Sequence, residues 1–171
     1  VILLLNALIH CAQSKTDSII KANKACENIE QIAALYNALY GLDSLSKRLD
    51  YINFGIEKSR EIDYTRGLMQ MQYLKAVTYN EIESYDDAII YFQNAIKNAE
   101  ILQDSGYLRV CYMSIGGIDL DIENYEQAKK EFFTGLKYAN NSIAKSVNIY
   151  NYLGTLYKEL GVVDSSLYYH N

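Results

Sequence analysis

The side chains able to do chemistry are few, and their spacing assembles no catalytic set. Only two histidines occur, His10 and His170. His170 falls in the same column as Phe92 and Phe132, where a histidine serves packing, and neither has the partners of a nucleophile–base–acid triad. The sequence holds no glycine-rich phosphate loop, no H-E-x-x-H, no C-x-x-C and no G-x-S-x-G. The carboxylate pairs Asp86-Asp87 and Glu81/Glu83 sit in or beside expected turns, where acidic side chains favour the positive starts of helices. Of the three cysteines, Cys26 and Cys111 lie on apolar helical faces and behave as small hydrophobes. No disulfide, metal site or cofactor is expected, and the chain reads as non-catalytic.

Composition then says what must carry such a surface. Half of the 171 residues are aliphatic, aromatic or cysteine, proline and tryptophan are absent, and tyrosine occurs 17 times. Such a chain folds, and nothing in it forces a helix to break, so an all-α protein is expected. A net charge of −5 without clustered Lys and Arg speaks against a nucleic-acid surface.

The first thirteen residues, VILLLNALIHCAQ, carry no acidic or basic side chain apart from His10, and Val1 to Leu5 are apolar without interruption. A helix apolar on every side reads as the hydrophobic part of a secretory signal that has lost its start. Residues 1–12 are then removed, leaving Gln13 first. His10 departs from the small residue usual three positions before such a cut. A lipoprotein reading at Cys11 and a packed core helix are the alternatives. The expected location is accordingly the periplasm or cell envelope, with the cytoplasm as the alternative.

Two stretches forty positions apart set the architecture: ESYDDAIIYFQNAI from Glu83 and ENYEQAKKEFFTGL from Glu123. Laid on itself at that shift, the chain fills columns: Leu45, Tyr85 and Tyr125; Ile52, Phe92 and Phe132; Gly55, Ala95 and Gly135; Ile56, Ile96 and Leu136. These offsets share one helical face, which must be buried. Preceding helices carry their own columns, Tyr36, Ala76, Gly116 and Gly154, then Leu39, Tyr79, Asp119 and Tyr157. Arg48 replaces the small residue of the column Ala88 and Ala128, and Asp119 replaces the tyrosine of its own. A leading helix over 13–25 precedes helices at about 27–40, 44–61, 65–82, 85–102, 106–122, 124–139 and 142–160, and a last one opening at Asp164. The array thus runs 26–171 in units 26–62, 65–102, 106–140 and an incomplete 142–171, punctuated by Gly41, Asp104-Ser105-Gly106, Asn140-Asn141 and Gly161.

Leu153-Gly154-x-x-Tyr157 in one helix, followed by the tyrosine, alanine and phenylalanine columns of the next, resembles the tetratricopeptide repeat (TPR), in an extended form of about 40 residues rather than 34. The resemblance implies an α-solenoid of stacked antiparallel helix pairs, a right-handed superhelix whose concave wall is lined by the first helix of each pair. Its exposed positions map onto Gln70, Tyr73, Val77, Asn80 and Glu81, onto Val110, Met113, Gly117, Leu120 and Asp121, and onto Asn148, Asn151, Thr155, Lys158 and Glu159. Gln70, Tyr73, Asn80, Met113, Asn148, Asn151 and Lys158 are the expected peptide-binding residues, the asparagines holding peptide backbone and Tyr73 and Met113 its side chains. The lysine–asparagine clamp that some members use for a carboxylate is not reproduced.

An export signal followed by such an array resembles the front of bacterial membrane sensors. The expected role is the sensory or scaffolding part of a longer envelope signalling protein, with a protein or peptide ligand and a membrane tether downstream of Asn171. A cytoplasmic peptide-binding regulator, or the recruiting domain of an enzyme whose catalytic part lies elsewhere, are the alternatives.

Overall fold

A computed structural model describes residues 29–40, 42, 44–140 and 142–170, the side chain of residue 170 excepted. The expected signal over 1–12, the leading helix over 13–25, Cys11, Cys26, Gly41 and the packing of His170 lie outside the described residues.

Among the described residues the chain is all-helical: α1 (Ile29–Leu39), α2 (Leu45–Glu61), α3 (Thr65–Glu81), α4 (Tyr85–Ile101), α5 (Ser105–Asp121), α6 (Tyr125–Lys137), α7 (Ile143–Glu159) and α8 (Val163–His170). The last helix opens at Val163 rather than at Asp164, and α6 stops at Lys137. Successive helices pack side by side, most extensively α3 on α4 and α5 on α6. The architecture is a TPR-like α-solenoid.

The buried columns follow from the repeat. Residues 51–60 and 91–100 show the same position-by-position pattern of burial, and 131–140 departs from it only at Leu136. Ile52, Phe92 and Phe132 are fully buried, and Ala88 and Ala128 with them. Part of this face is covered within its own pair, Phe132 lying against Gly116 of α5, and stacking on Ile149 and Leu153 of the next pair completes its burial.

The backbone repeats at half the spacing of the side chains. Helices α2 to α5 each have 17 residues and begin at 45, 65, 85 and 105, joined by three-residue turns. Each turn passes through a left-handed residue that is not glycine: Asp63 (φ 51°), Glu83 (57°), Gln103 (52°) and Glu123 (60°). The following N–H reaches back to the helix it has left, as in Tyr64 to the Ser59 carbonyl (2.8 Å), Ser84 to Tyr79 (3.0 Å), Asp104 to Ala99 (2.9 Å) and Asn124 to Asp119 (2.7 Å). These bonds satisfy carbonyls that a helix end would otherwise orphan. Asp104 Oδ1 also accepts from the Tyr107 N–H (3.1 Å) and so caps α5.

The two broken columns have structural uses. Arg48 Nε donates to the Leu42 carbonyl (3.0 Å) and its Nη1 to Glu81 (2.5 Å), tying the start of α2 to the end of α3. Asp119, 4% exposed, accepts the Asn124 amide on Oδ1 (3.0 Å).

Candidate functional site

The first helices of the pairs touch one another, α1 on α3 and α5 on α7. That side of the stack is therefore the shorter, inner wall, and α3, α5 and α7 present the residues expected to bind.

On α7, Asn148 and Asn151 lie one turn apart and both are exposed. Together with Met113 of α5, Tyr152 and Thr155 they enclose a cleft of about 340 Å³. Its apolar side is fixed by the core. Met113 is half-buried against the cluster of Phe132, Ile149 and Leu153, and the Tyr152 ring stacks on Phe132 at 5.2 Å. Thr155 spends its hydroxyl proton on the Asn151 carbonyl (3.1 Å). The two asparagine amides stay turned to solvent, each offering a donor and an acceptor.

At the other end of the wall the surface is closed by tyrosines. The Tyr36 hydroxyl bonds to that of Tyr40 (2.6 Å) and to that of Tyr107 on α5 (2.9 Å), so α1 reaches past α3. Tyr73 lies edge-on to Tyr107 (5.4 Å) and to Phe92 (5.8 Å). Burial, and then the hydrogen bonds to Tyr107 and Tyr40, hold the Tyr36 hydroxyl far above its ordinary pKa. Burial does the same for Tyr73. Neither phenol ionises in ordinary conditions, and both rings serve packing.

The expected binding residues thus separate. Met113, Asn148 and Asn151 meet in one cleft. Gln70 and Tyr73 belong to the tyrosine cluster, with Gln70 Oε1 buried and without a hydrogen-bond partner among the described residues. Asn80, ten residues further along α3, buries its Oδ1 in the same unpaired state. Lys158 is exposed in the last turn of α7, off the cleft lining. Tyr36, Tyr40 and Tyr107 were not foreseen as one cluster. Tyr36 and Tyr107 are 71 residues apart, and no local pattern joins them.

No family model and no curated protein matches the chain. Solved structures do. BtubC (BKLC) from P. vanneervenii superposes with a TM-score of 0.75 at 18% identity, over 97% of this chain and 70% of that one. MamA superposes at 0.68 and 15% identity, over 92% and 85%. The quorum sensor NprR from B. thuringiensis superposes in its apo form at 0.74 and 18% identity, over 97% of this chain and 49% of that one. NprR with its cognate peptide NprX gives 0.69 at 19% identity, over 97% and 50%. This chain therefore spans about half the length of NprR. Identity this low shows the helical-repeat fold that these proteins have in common with it.

Proposed function

We propose that the chain is a non-catalytic protein- or peptide-binding module whose cleft between α5 and α7 takes an extended segment of its partner. The observation that carries this is the pair Asn148 and Asn151, one turn apart over the apolar floor of Met113 and Tyr152. An asparagine amide matches the alternating carbonyl and N–H of an extended backbone, and the floor takes a side chain. Likeness of fold to a quorum sensor crystallised with its cognate peptide supports the same reading. The apolar run Val1–Leu5 supports placement in the periplasm or cell envelope, where the module would serve as the sensory or scaffolding part of a signalling protein.

Panning a displayed peptide library against the chain, then measuring selected peptides by calorimetry, tests the binding reading. Replacing Asn148 and Asn151 together by alanine should weaken a selected peptide by about tenfold or more. Unchanged affinity in the folded double variant removes the cleft from the function.

A further inference from the structure

The outer face carries a second kind of groove, between successive second helices, and the chain fills it differently in each unit. Between α2 and α4 the groove is about 260 Å³, and Lys75 of α3, 8% exposed, lies in it. The Lys75 ammonium donates to Asn53 Oδ1 (2.6 Å) and sits 4.3 Å from the Tyr91 ring centre and 5.9 Å from that of Tyr79. Those two rings stack 5.6 Å apart. In the last unit Tyr157 and Tyr169 occupy the same columns and stack at 5.5 Å, with the Lys129 ammonium 5.7 Å from Tyr157. In both units a lysine of the chain itself sits over a ring of the stacked tyrosine pair, over both rings in the first and over Tyr157 in the last.

The middle groove, between α4 and α6, breaks that pattern at every position that mattered. Forty residues on from Lys75 stands Ile115. Asp119 replaces the first tyrosine and Glu131 the second. The space is larger, about 400 Å³, with Ile89, Ile96 and Tyr112 among its walls. Asp119 keeps one oxygen for Asn124, and Glu131 accepts the Gln127 amide. Among the described residues neither carboxylate is in an ion pair. Lys97 lines the groove but is exposed, and Lys130 acts on Glu131 from the neighbouring position.

We propose that this groove binds a primary ammonium on an apolar stem, the chemistry of a lysine side chain or a free alkylamine. Asp119 and Glu131 take the cation in the place where the flanking units use their own lysines. Ile89, Ile96 and Ile115 cover the stem. Removing Lys75's counterpart while changing both tyrosines to carboxylates leaves negative charge facing an unfilled cavity, which an external cation offsets. Burial holds both carboxyls above their ordinary pKa, and the charge of Asp119 adds to the effect on Glu131. The site stands independently of the inner cleft.

Calorimetric titration of the folded chain with n-pentylamine, with n-pentanol and with Nα-acetyl-lysine N-methylamide tests it. Pentylamine should bind and pentanol should not. The lysine derivative binding tighter than pentylamine assigns the cation to a partner's side chain, and the reverse order assigns it to a free amine. Glu131→Gln should weaken pentylamine by about tenfold or more. Ile115→Lys, which restores an internal ammonium at Lys75's column, should abolish binding while circular dichroism stays helical. If Ile115→Lys does not fold, Glu131→Gln decides alone. Absence of pentylamine binding, equal binding of pentanol, or unchanged affinity in the folded variants overturns the proposal.

Discussion

The Phe132 ring lies 2.7 Å from the point where a β-carbon on Gly116 would stand, and the backbone carbonyl of Ala128 only 3.2 Å away. Phe132 is fully buried and cannot retreat. Gly116→Ala should therefore destabilise the fold by about 1–3 kcal/mol despite alanine's better helix propensity. At the next residue the geometry reverses. A β-carbon on Gly117 meets the Tyr152 ring at 3.6 Å, an ordinary contact, so Gly117→Ala should stabilise by up to about 1 kcal/mol. Urea unfolding of the two variants checks both signs.

The left-handed turns predict gains from glycine. A non-glycine residue with positive φ costs about 1–2 kcal/mol, offset in part by the greater freedom of glycine in the unfolded chain. Gln103→Gly should stabilise by about 0.5–1 kcal/mol, whereas Gln103→Val, β-branched at φ 52°, should destabilise. The same glycine placed at Glu100, inside α4, should cost about 1 kcal/mol. Denaturant midpoints of the three variants separate the effect of the turn from that of the residue.

Stability should rise as the solution is made mildly acidic. Burial raises the carboxyl pKa of Asp119 and of Glu131 in the folded chain. Between the ordinary and the raised values the folded state holds more protons than the unfolded one, so stability falls as pH increases through that window and is lowest once both are ionised. The urea midpoint should accordingly be higher at about pH 5 than at about pH 7.5. The difference should shrink in Glu131→Gln. An identical pH profile in that variant contradicts the assignment.

Cys111 should be chemically silent. The side chain is fully buried, and burial pushes its thiol pKa up to about 12, which leaves almost no thiolate to react. A maleimide should leave Cys111 unlabelled in the native chain and label it in urea, as read by mass mapping of the peptide that contains it.

Much of the helical frame was legible in the sequence, because burial along one helix is a local, periodic signal. The columns through Phe92 and Phe132 marked the buried face, and the expected starts of α3 and α4 at 65 and 85 coincide with those observed. The spacing of the turns followed from the expected helix starts, but the left-handed residue within each turn was not legible. Asp63 and Gln103 differ from each other and from the glutamates Glu83 and Glu123, so no one residue type marks the turn, and the common left-handed conformation is imposed by the bonds that follow each helix end. Asp119 stood out as a broken column. Its partner Glu131 did not, since the tyrosine it replaces is recognised only when Tyr79 and Tyr91 are seen stacked.

By itself, then, the sequence determined that this chain is helical, that its helices pair, and which face of each must leave water, since all three depend on residues within a few turns of one another. The tertiary structure alone decided which of the polar positions share a cleft. That depends on how far each pair is rotated against the next. Stacking sets this rotation, bringing Met113 to Asn148 and Asn151 while drawing Tyr73 into packing with Phe92 and Tyr107.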